Sequence, residues 1–470
     1  MNSTSKRLLQ AATYASVVMA LAACGGGGGG GSSTPAPTVT MSFNQPKITV
    51  GKSSTLTWSS TNATSCTASG AWSGAQATSG SAVETPTFGG AETFTLTCSG
   101  SGGQTSLSAT LAVPIPAQAS SYLNKIAAAS AIGPQPLPAE VAAGNAVAFG
   151  DFFQDGTYSM VTHTCGDTNC GANGSNGTIH FYKMINGRWV DHTSDILSNN
   201  VGCLHPRKAI VADFNGSGKP GVFFACHGYD APPYPGEQPV LLLPQGNGQY
   251  MNTKLPFTGY FHGASAADFN GNGLADIVVT DTSENKNPYF LVNDGDGTFH
   301  QDFTRIPTLK TYAPNTGALN TSCGSACFGE IYTAELIDFN NTGKLDLFLG
   351  GNTPNATMNG NWVPTILKNN GDNTYNQSNE TLLPYDPANQ TTSLDILSVD
   401  GTIYLNSVFD VNTAAVYGHS EIQKIVGSNS SPIWVGNSNL SNSQTWNNWI
   451  IPYQGKIDSL DSDYDISVAE

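Results

Sequence analysis

Two patterns of apolar and polar positions divide the chain. Between residues 38 and 114 they alternate one by one, as in Ser54-Thr55-Leu56-Thr57-Trp58 and Thr93-Phe94-Thr95-Leu96-Thr97-Cys98. A period of two puts one face of each strand in a core, so this stretch reads as a small β domain. From residue 144 the pattern changes to short apolar runs behind polar turns. Ile277-Val278-Val279 follows the turn at 268–276, and Leu347-Phe348-Leu349 follows the turn at 338–346. Such runs, bounded by Gly and Asn, predict buried strands. The helical stretch predicted is 118–131, closed by Gly133-Pro134.

The polar turns repeat. Asp268, Asn270, Asn272 and Asp276 stand at positions 1, 3, 5 and 9 of a loop. Gly273 sits at position 6, where a sharp turn favours a residue without a Cβ. Asp338, Asn340, Thr342, Gly343 and Asp346 repeat the set. Asp213, Asn215, Ser217 and Gly218 repeat it again, with Gly221 in place of the last carboxylate. Asp151, Asp155 and Gly156 make a fainter copy, broken by Phe153. The aromatics Trp189, Tyr250, Phe299 and Tyr375 follow 38, 37, 31 and 37 residues after the first Asp of their copies. Loop, strand, strand and turn at near-fixed spacing mark a repeat architecture. Alternate side chains of such a loop converge their oxygens, which suits a hard cation such as Ca²⁺.

The loops at 268–276 and 338–346, with the hairpin Asn293-Asp294-Gly295-Asp296-Gly297-Thr298-Phe299, resemble FG-GAP/VCBS repeats. The resemblance implies an integrin-α-like β-propeller over residues 144–470, six- or seven-bladed by length. Four units are clear. A weaker fifth lies around Leu394-Asp395-Ile396-Leu397 and Ile403-Tyr404-Leu405, and 461–466 is a candidate closing strand. The resemblance also implies structural calcium. Its ligands would be Asp268, Asn270, Asn272 and Asp276 with the Leu274 carbonyl, and Asp338, Asn340, Thr342 and Asp346 with the Lys344 carbonyl. A third set would be Asp213, Asn215 and Ser217. Asn or Thr stands where Asp is common in the family, so binding is expected toward about 10⁻⁴–10⁻³ M. Without metal the same residues serve as Asx turns that cap their own backbone.

Composition extends this picture. Glycine is abundant at 52 and charged residues are only 11% of the chain, as in turn-rich secreted β proteins. A net charge of −16 with no Lys/Arg stripe excludes nucleic acid as the expected partner. Lys6 and Arg7 precede a short apolar stretch at 8–23, too short for a stable membrane span. Leu21-Ala22-Ala23-Cys24 resembles the bacterial lipobox. It implies a signal peptide at 1–23 and a lipid anchor on Cys24. Gly25 rather than Asp follows, which by the family rule implies the outer membrane. Residues 24–37 hold seven consecutive glycines and read as a flexible tether. Segments 56–66 and 94–98 resemble bacterial Ig-like domains, which implies a β-sandwich spacer over 38–114. Residues 115–143 read as a linker.

Of nine cysteines, eight remain beside Cys24, an even number that suits an oxidising compartment. Sequence proximity suggests Cys66–Cys98, Cys165–Cys170, Cys203–Cys226 and Cys323–Cys327, among many connectivities.

Catalytic motifs are scarce. Gly51-Lys52-Ser53 has Pro46 where a P-loop needs its first Gly, and no HExxH occurs. Gly418-His419-Ser420-Glu421-Ile422 departs from the serine-hydrolase elbow at its fifth position. Cys203, His205, Cys226 and His227 can be drawn as a zinc set, but their spacing is not that of a finger and the compartment favours a disulfide. Trp434, Trp446 and Trp449 suit either sugar stacking or blade packing. The expectation is an all-β envelope lipoprotein whose calcium-stabilised propeller binds a protein or glycan and is not an enzyme. The alternatives are a secreted carbohydrate-active or esterase-type enzyme on the same scaffold, or a purely structural envelope component.

Overall fold

The computed structural model describes residues 34–46, 48, 53–85, 90–113, 144–165, 174–229, 232–269, 272–282, 287–312, 331–339, 344–354, 361–386, 391–399, 402–410, 417–435, 449–453, 456–460 and 466–469. Nearly every element among them is a β-strand. The expected signal peptide, Cys24 and the helix at 118–131 lie outside these residues.

Seven strands between residues 38 and 113 form two sheets. Thr38–Phe43, Ser54–Thr61 and Ser79–Glu84 make one, in that order. Gly74–Gln76, Ser65–Gly70, Gly90–Gly100 and Gly103–Val113 make the other. The one-by-one alternation is obeyed: in Ser54–Thr61, Leu56 and Trp58 are buried while Thr57 and Ser59 are exposed. Trp58 Nε1 donates to the Ala77 carbonyl at 2.9 Å, and its ring meets Trp72 edge-on at 5.0 Å. Cys66 and Cys98 are bonded, and they are directly opposed on neighbouring strands. The bridge therefore staples one sheet, whereas an antibody-type disulfide joins two.

The described residues between 144 and 469 form six sheets in succession, each built from strands consecutive in sequence and paired antiparallel. The first is Gly144–Gly150, Ser159–Thr164, Ile179–Ile185 and Arg188–Asp191. The second is Pro206–Ala212, Gly221–Cys226, Val240–Pro244 and Tyr250–Lys254. The third is Phe261–Ala267, Asp276–Asp281, Tyr289–Gly295 and Thr298–Asp302. The fourth is Ile331–Ile337, Asp346–Gly351, Thr365–Leu367 and Glu380–Leu382. The fifth is Thr391–Val399, Thr402–Asp410, Tyr417–Val426 and Asn429–Val435. The sixth has three strands, Trp449–Tyr453, Lys456–Leu460 and Ile466–Ala469.

The unit read from sequence starts one strand late. A first strand precedes each Asp loop, and the loop joins it to the second. Trp189, Tyr250 and Phe299 sit at or next to the start of a fourth strand, and Tyr375 lies ahead of one. Tyr250 and Tyr375 close their own units by donating to the Pro220 and Leu345 carbonyls at 2.7 and 2.8 Å.

Why the apolar runs are unbroken is now clear. In Gly221–Cys226, Val222 and Phe224 pack on the first sheet with Val161 and Phe181. Phe223 and Ala225 pack on the third with Ala264 and Ile277. Period two still operates, but both faces meet a neighbouring sheet, so every position is apolar. Third and fourth sheets share Val278, Phe290, Leu347 and Trp362 in the same way, and fourth and fifth share Phe348, Ile366, Ile396 and Leu405. Each such side chain contributes about 1.5–3 kcal/mol of burial.

The first strands of successive sheets lie side by side. The Leu336 amide donates to Ser265 Oγ at 3.2 Å, Thr333 Oγ1 donates to the Ser393 carbonyl at 2.9 Å, and the Ile450 amide donates to Asp395 Oδ2 at 2.8 Å. Lys208 Nζ reaches past the third sheet to Glu335 Oε1 of the fourth at 2.8 Å. The arrangement is propeller-like, with the first strands innermost.

Candidate functional site

Two places gather functional groups, at opposite ends of the inner strands. One is the set of Asp loops. Asp151, Asp213 and Asp268 hold their loops in one way. In each, the carboxylate accepts the amides four and five residues on: Asp155 and Gly156, Ser217 and Gly218, Asn272 and Gly273, at 2.7–3.1 Å. The first Asp thus folds the turn onto its own carboxylate whether or not metal binds.

The remaining oxygens differ between loops. Asn272 Oδ1 accepts the Leu274 amide. Asp276 Oδ1 accepts the Asn293 amide at 2.8 Å, while its Oδ2 is buried without a hydrogen-bond partner. Burial holds this carboxyl above its ordinary range. Asn215 Nδ2 donates to the Pro244 carbonyl, and its Oδ1 is likewise buried and unpaired. In the first sheet Asp155 turns to the Lys183 ammonium, which also lies over the Phe153 ring, so the chain supplies its own cation. Asp346 Oδ1 accepts the Asn369 amide as Asp276 does that of Asn293. Asp338 is buried and Lys344 begins the approach to its strand. Asn270, Asn340 and Thr342 lie outside the described residues. Asn215 Oδ1 and Asp276 Oδ2 are thus the oxygens left open in their respective loops, the ones a cation there would engage.

The other place was not apparent from the sequence. In each of the first five sheets the inner strand carries one extra residue against its partner strand, at 145, 207, 262, 332 and 394. Such a bulge re-aims a side chain. Four of these residues, Arg207, His262, Tyr332 and Leu394, line one notch of about 20 Å³. A chain of rings leads from it: His262 to Tyr332 at 4.6 Å, His227 to His262 at 4.3 Å and His205 to His227 at 4.9 Å. Tyr260 flanks His227 and His262, and exposed Tyr234 stands beside Tyr260 at 6.0 Å. The bulges lie six residues before Asp151, Asp213, Asp268, Asp338 and Asp400. That offset was a signal in the sequence, but it becomes visible only once the inner strand is known. At ~3.3 Å per residue it also puts the loops roughly 20 Å from the notch.

Charges of both signs meet behind the notch: Arg207 and Lys208 line it, and Glu335 pairs with Lys208. Arg207 is buried within it. Burial would depress the Lys208 ammonium, but the Glu335 and Asp395 carboxylates outweigh it and push it up. Burial, and then the Arg207 charge, hold His205 and His262 neutral well below the usual imidazole range. Burial and then His262 do the same for His227.

Glu237 holds the segments that carry His205 and His227. Its carboxylate accepts the amides of Leu204, His205 and Gly228 at 2.9–3.0 Å, and its backbone pairs with Gly259, next to Tyr260. Burial raises its carboxyl against those three donors. The Cys203–Cys226 disulfide ties the same two segments. Behind it, His163 Nε2 accepts the Cys203 amide at 2.9 Å and Nδ1 faces the Thr164 carbonyl at 2.8 Å. Burial lowers this imidazole to about 4.

Cys203 and Cys226 are thus bonded to each other and offer no thiolate to zinc. Cys165 is disulfide-bonded; Cys170, Cys323 and Cys327 lie outside the described residues. Residues 418–422 run within the strand Tyr417–Val426, with His419 stacked on Phe409 at 4.6 Å, so no nucleophile elbow forms there. Trp434 packs on the core between fifth and sixth sheets. Trp446 and the Trp449 side chain fall outside the described residues.

No protein-family model matches the chain, and no curated protein matches it. Among solved structures, a quinoprotein alcohol dehydrogenase-like protein from Bacteroides thetaiotaomicron VPI-5482 is similar over 86% of this chain and 99% of its own. Its identity is 8% and the TM-score 0.26, a likeness too slight to bear on what this chain does.

Proposed function

We propose that the chain is an envelope lipoprotein of the outer membrane. Cys24 carries the lipid, residues 24–37 are the tether, and 38–114 an Ig-like spacer. The sheets of 144–470 then form an FG-GAP/VCBS-type propeller of six or seven blades that recognises a glycan or a protein. The observation that carries this reading is the convergence of Arg207, His262, Tyr332 and Leu394 from four separate sheets on one notch. The inner strands bulge at one register, and a bulge re-aims its side chain, which suits a ligand where Arg207, His262 and Tyr332 are turned to one place. Calcium in the loops is structural on this reading, because they lie at the far end of the inner strands.

An enzyme is the second reading, favoured by neutral histidines beside Tyr332 and Arg207, a combination that can move protons. The two part on one experiment. The purified protein is screened on a glycan array and against envelope extracts, with Tyr234→Ala and His262→Gln as controls. Retention of a ligand without turnover, weakened by both substitutions, supports recognition. Product formation favours the enzyme, and binding indifferent to both substitutions removes the notch from the function. Cys24→Ser should release the protein from membranes; continued retention there sinks the anchor.

A further inference from the structure

We infer that His163, His205, His227 and His262 form an acid-opened clasp: protonation parts the segments 202–207, 226–229 and 259–262 while the sheets that carry them stay folded. The clasp needs no ligand, so it does not rest on the recognition reading.

The rings are the join between these segments. All four are buried. His163 Nε2 accepts the Cys203 amide at 2.9 Å, so that nitrogen carries no proton and Nδ1 donates to the Thr164 carbonyl at 2.8 Å. The Gly202 backbone lies so close that a Cβ there would stand 2.0 Å from Nε2. A second proton on this ring would set N–H against N–H. His227 is packed between His205 and His262, at 4.9 and 4.3 Å, one ring from each segment. His205 Nδ1 is buried and has no hydrogen-bond partner among the described residues. His227 Nδ1 faces the Gly228 carbonyl at a long 3.4 Å. An imidazolium needs acceptors for both of its N–H groups, and two charged rings here would repel across their contact. The closed cluster therefore fits neutral rings, and a proton enters by opening it.

The other groups around the rings keep this direction. Arg207, which has contacts of its own, disfavours an imidazolium at His205, His227 and His262, and Lys254 and His180 do so at His163. Lys208 is paired with Glu335, with the Asp395 charge acting on it as well. Asp281 accepts the Tyr260 amide at 2.9 Å and the Tyr289 hydroxyl at 3.3 Å. Tyr260 and Tyr332 meet the rings as neutral phenols. Glu237 accepts three amides, and burial raises its carboxyl, so falling pH favours its closed form and the imidazoles alone drive opening.

Other contacts bound the movement. Cys203–Cys226 keeps the first two segments tied, and Ala209, Phe224 and Ala264 anchor the adjoining strands in cores shared with neighbouring sheets. Opening is therefore local. In the open form the imidazoles return to about 6.5, so protons are taken up as pH falls below that value. Each imidazole then favours opening by about tenfold between pH 7.5 and pH 5.5.

Hydrogen exchange of the full chain at about pH 7.5 and about pH 5.5, corrected for the intrinsic rate at each pH, tests the clasp. The amides of Cys203, Leu204, His205, Gly228 and Tyr260 are hydrogen-bonded in the closed form. Their protection should fall at least about tenfold at the lower pH and stay at least about a hundredfold below that of the strand Asp346–Gly351. Equal protection of the two sets would mean that the rings part only when the whole fold does, which overturns the inference. So does protection of the five amides that is the same at both pH values. His163→Gln, which keeps an acceptor for Cys203, and His227→Gln should each remove about tenfold of the pH response, and a response unchanged in both overturns the clasp. Should a variant fail to fold, ring-proton NMR of the wild type decides: imidazoles that titrate near their ordinary value with the amides still protected overturn it.

Discussion

Asp276 is a buried carboxyl with one oxygen on the Asn293 amide and the other unpaired. Its pKa is raised in the fold, so it favours the folded state at low pH, and that contribution is lost as pH rises past 3.8 through the folded value. Asp276→Asn keeps an acceptor for Asn293 and removes the charge. Without calcium the melting temperature should hold or rise; with millimolar calcium any metal-dependent gain should vanish. A wild-type melting temperature indifferent to chelator would remove the metal itself. The histidines act with the opposite sign. His163 is lowered from 6.5 to about 4, so the unfolded chain binds its proton first. That contribution is intact above 6.5 and is lost as pH falls toward 4, about 3 kcal/mol at 1.36 kcal/mol per unit. His205, His227 and His262 add to it in the same direction. Denaturant midpoints should therefore drop steeply across that window; a flat profile would mean the imidazoles are solvated. Lys208→Met would leave Glu335, fully buried, without its cation. The expected cost is about 3–5 kcal/mol, largely recovered in the double variant with Glu335→Leu, as read by urea unfolding.

At the level of the strand and loop, neighbouring sheets are latched to each other by amides. Asn293 Nδ2 donates to the Phe214 carbonyl of the preceding unit and to Ala275 of its own, at 2.9 and 3.0 Å. Asn373 Nδ2 makes the matching reach to Phe269 at 2.8 Å. The Ala275 amide donates to the Asp213 carbonyl at 3.0 Å. Asn293→Ala leaves two buried carbonyls short of a donor and should cost about 2–4 kcal/mol, seen as earlier thermal unfolding. Inner strands are also close. A Cβ on Gly263 would stand 2.5 Å from the Tyr332 carbonyl and 3.0 Å from Thr333 Cα. Gly263→Ala should push apart the strands that carry His262 and Tyr332, costing about 1–3 kcal/mol and weakening any ligand of the notch. The Asp loops were legible because Asp, Asn and Gly at fixed offsets have a local job. The latches were not, since a hairpin Asn looks the same whether it caps its own turn or reaches the next sheet.

For the molecule as a whole, stability and site share supports. The Cys203–Cys226 bridge spans 23 residues and holds the segments bearing His205 and His227. Replacing both cysteines by Ser should cost about 3 kcal/mol and loosen the notch together with the fold. Sheets packed face to face, with a shared core at each interface among the described residues, also predict that unfolding spreads between neighbours rather than one sheet at a time.

The sequence alone determined the chemistry of turns and the all-β class. Period-two alternation, apolar runs and the one-six-nine pattern of Asp, Gly and Asp are local, and local patterns report local structure. It also carried the offset of six residues between bulge and loop, without the means to read it. Tertiary structure decided which faces of each strand met a neighbour, and hence where the unit begins. It decided too that Arg207, His262, Tyr332 and Leu394, scattered over nearly two hundred positions, share one notch. Only the packing of sheet on sheet could bring them together, because convergence at an axis depends on how units are placed and leaves no trace in any single one.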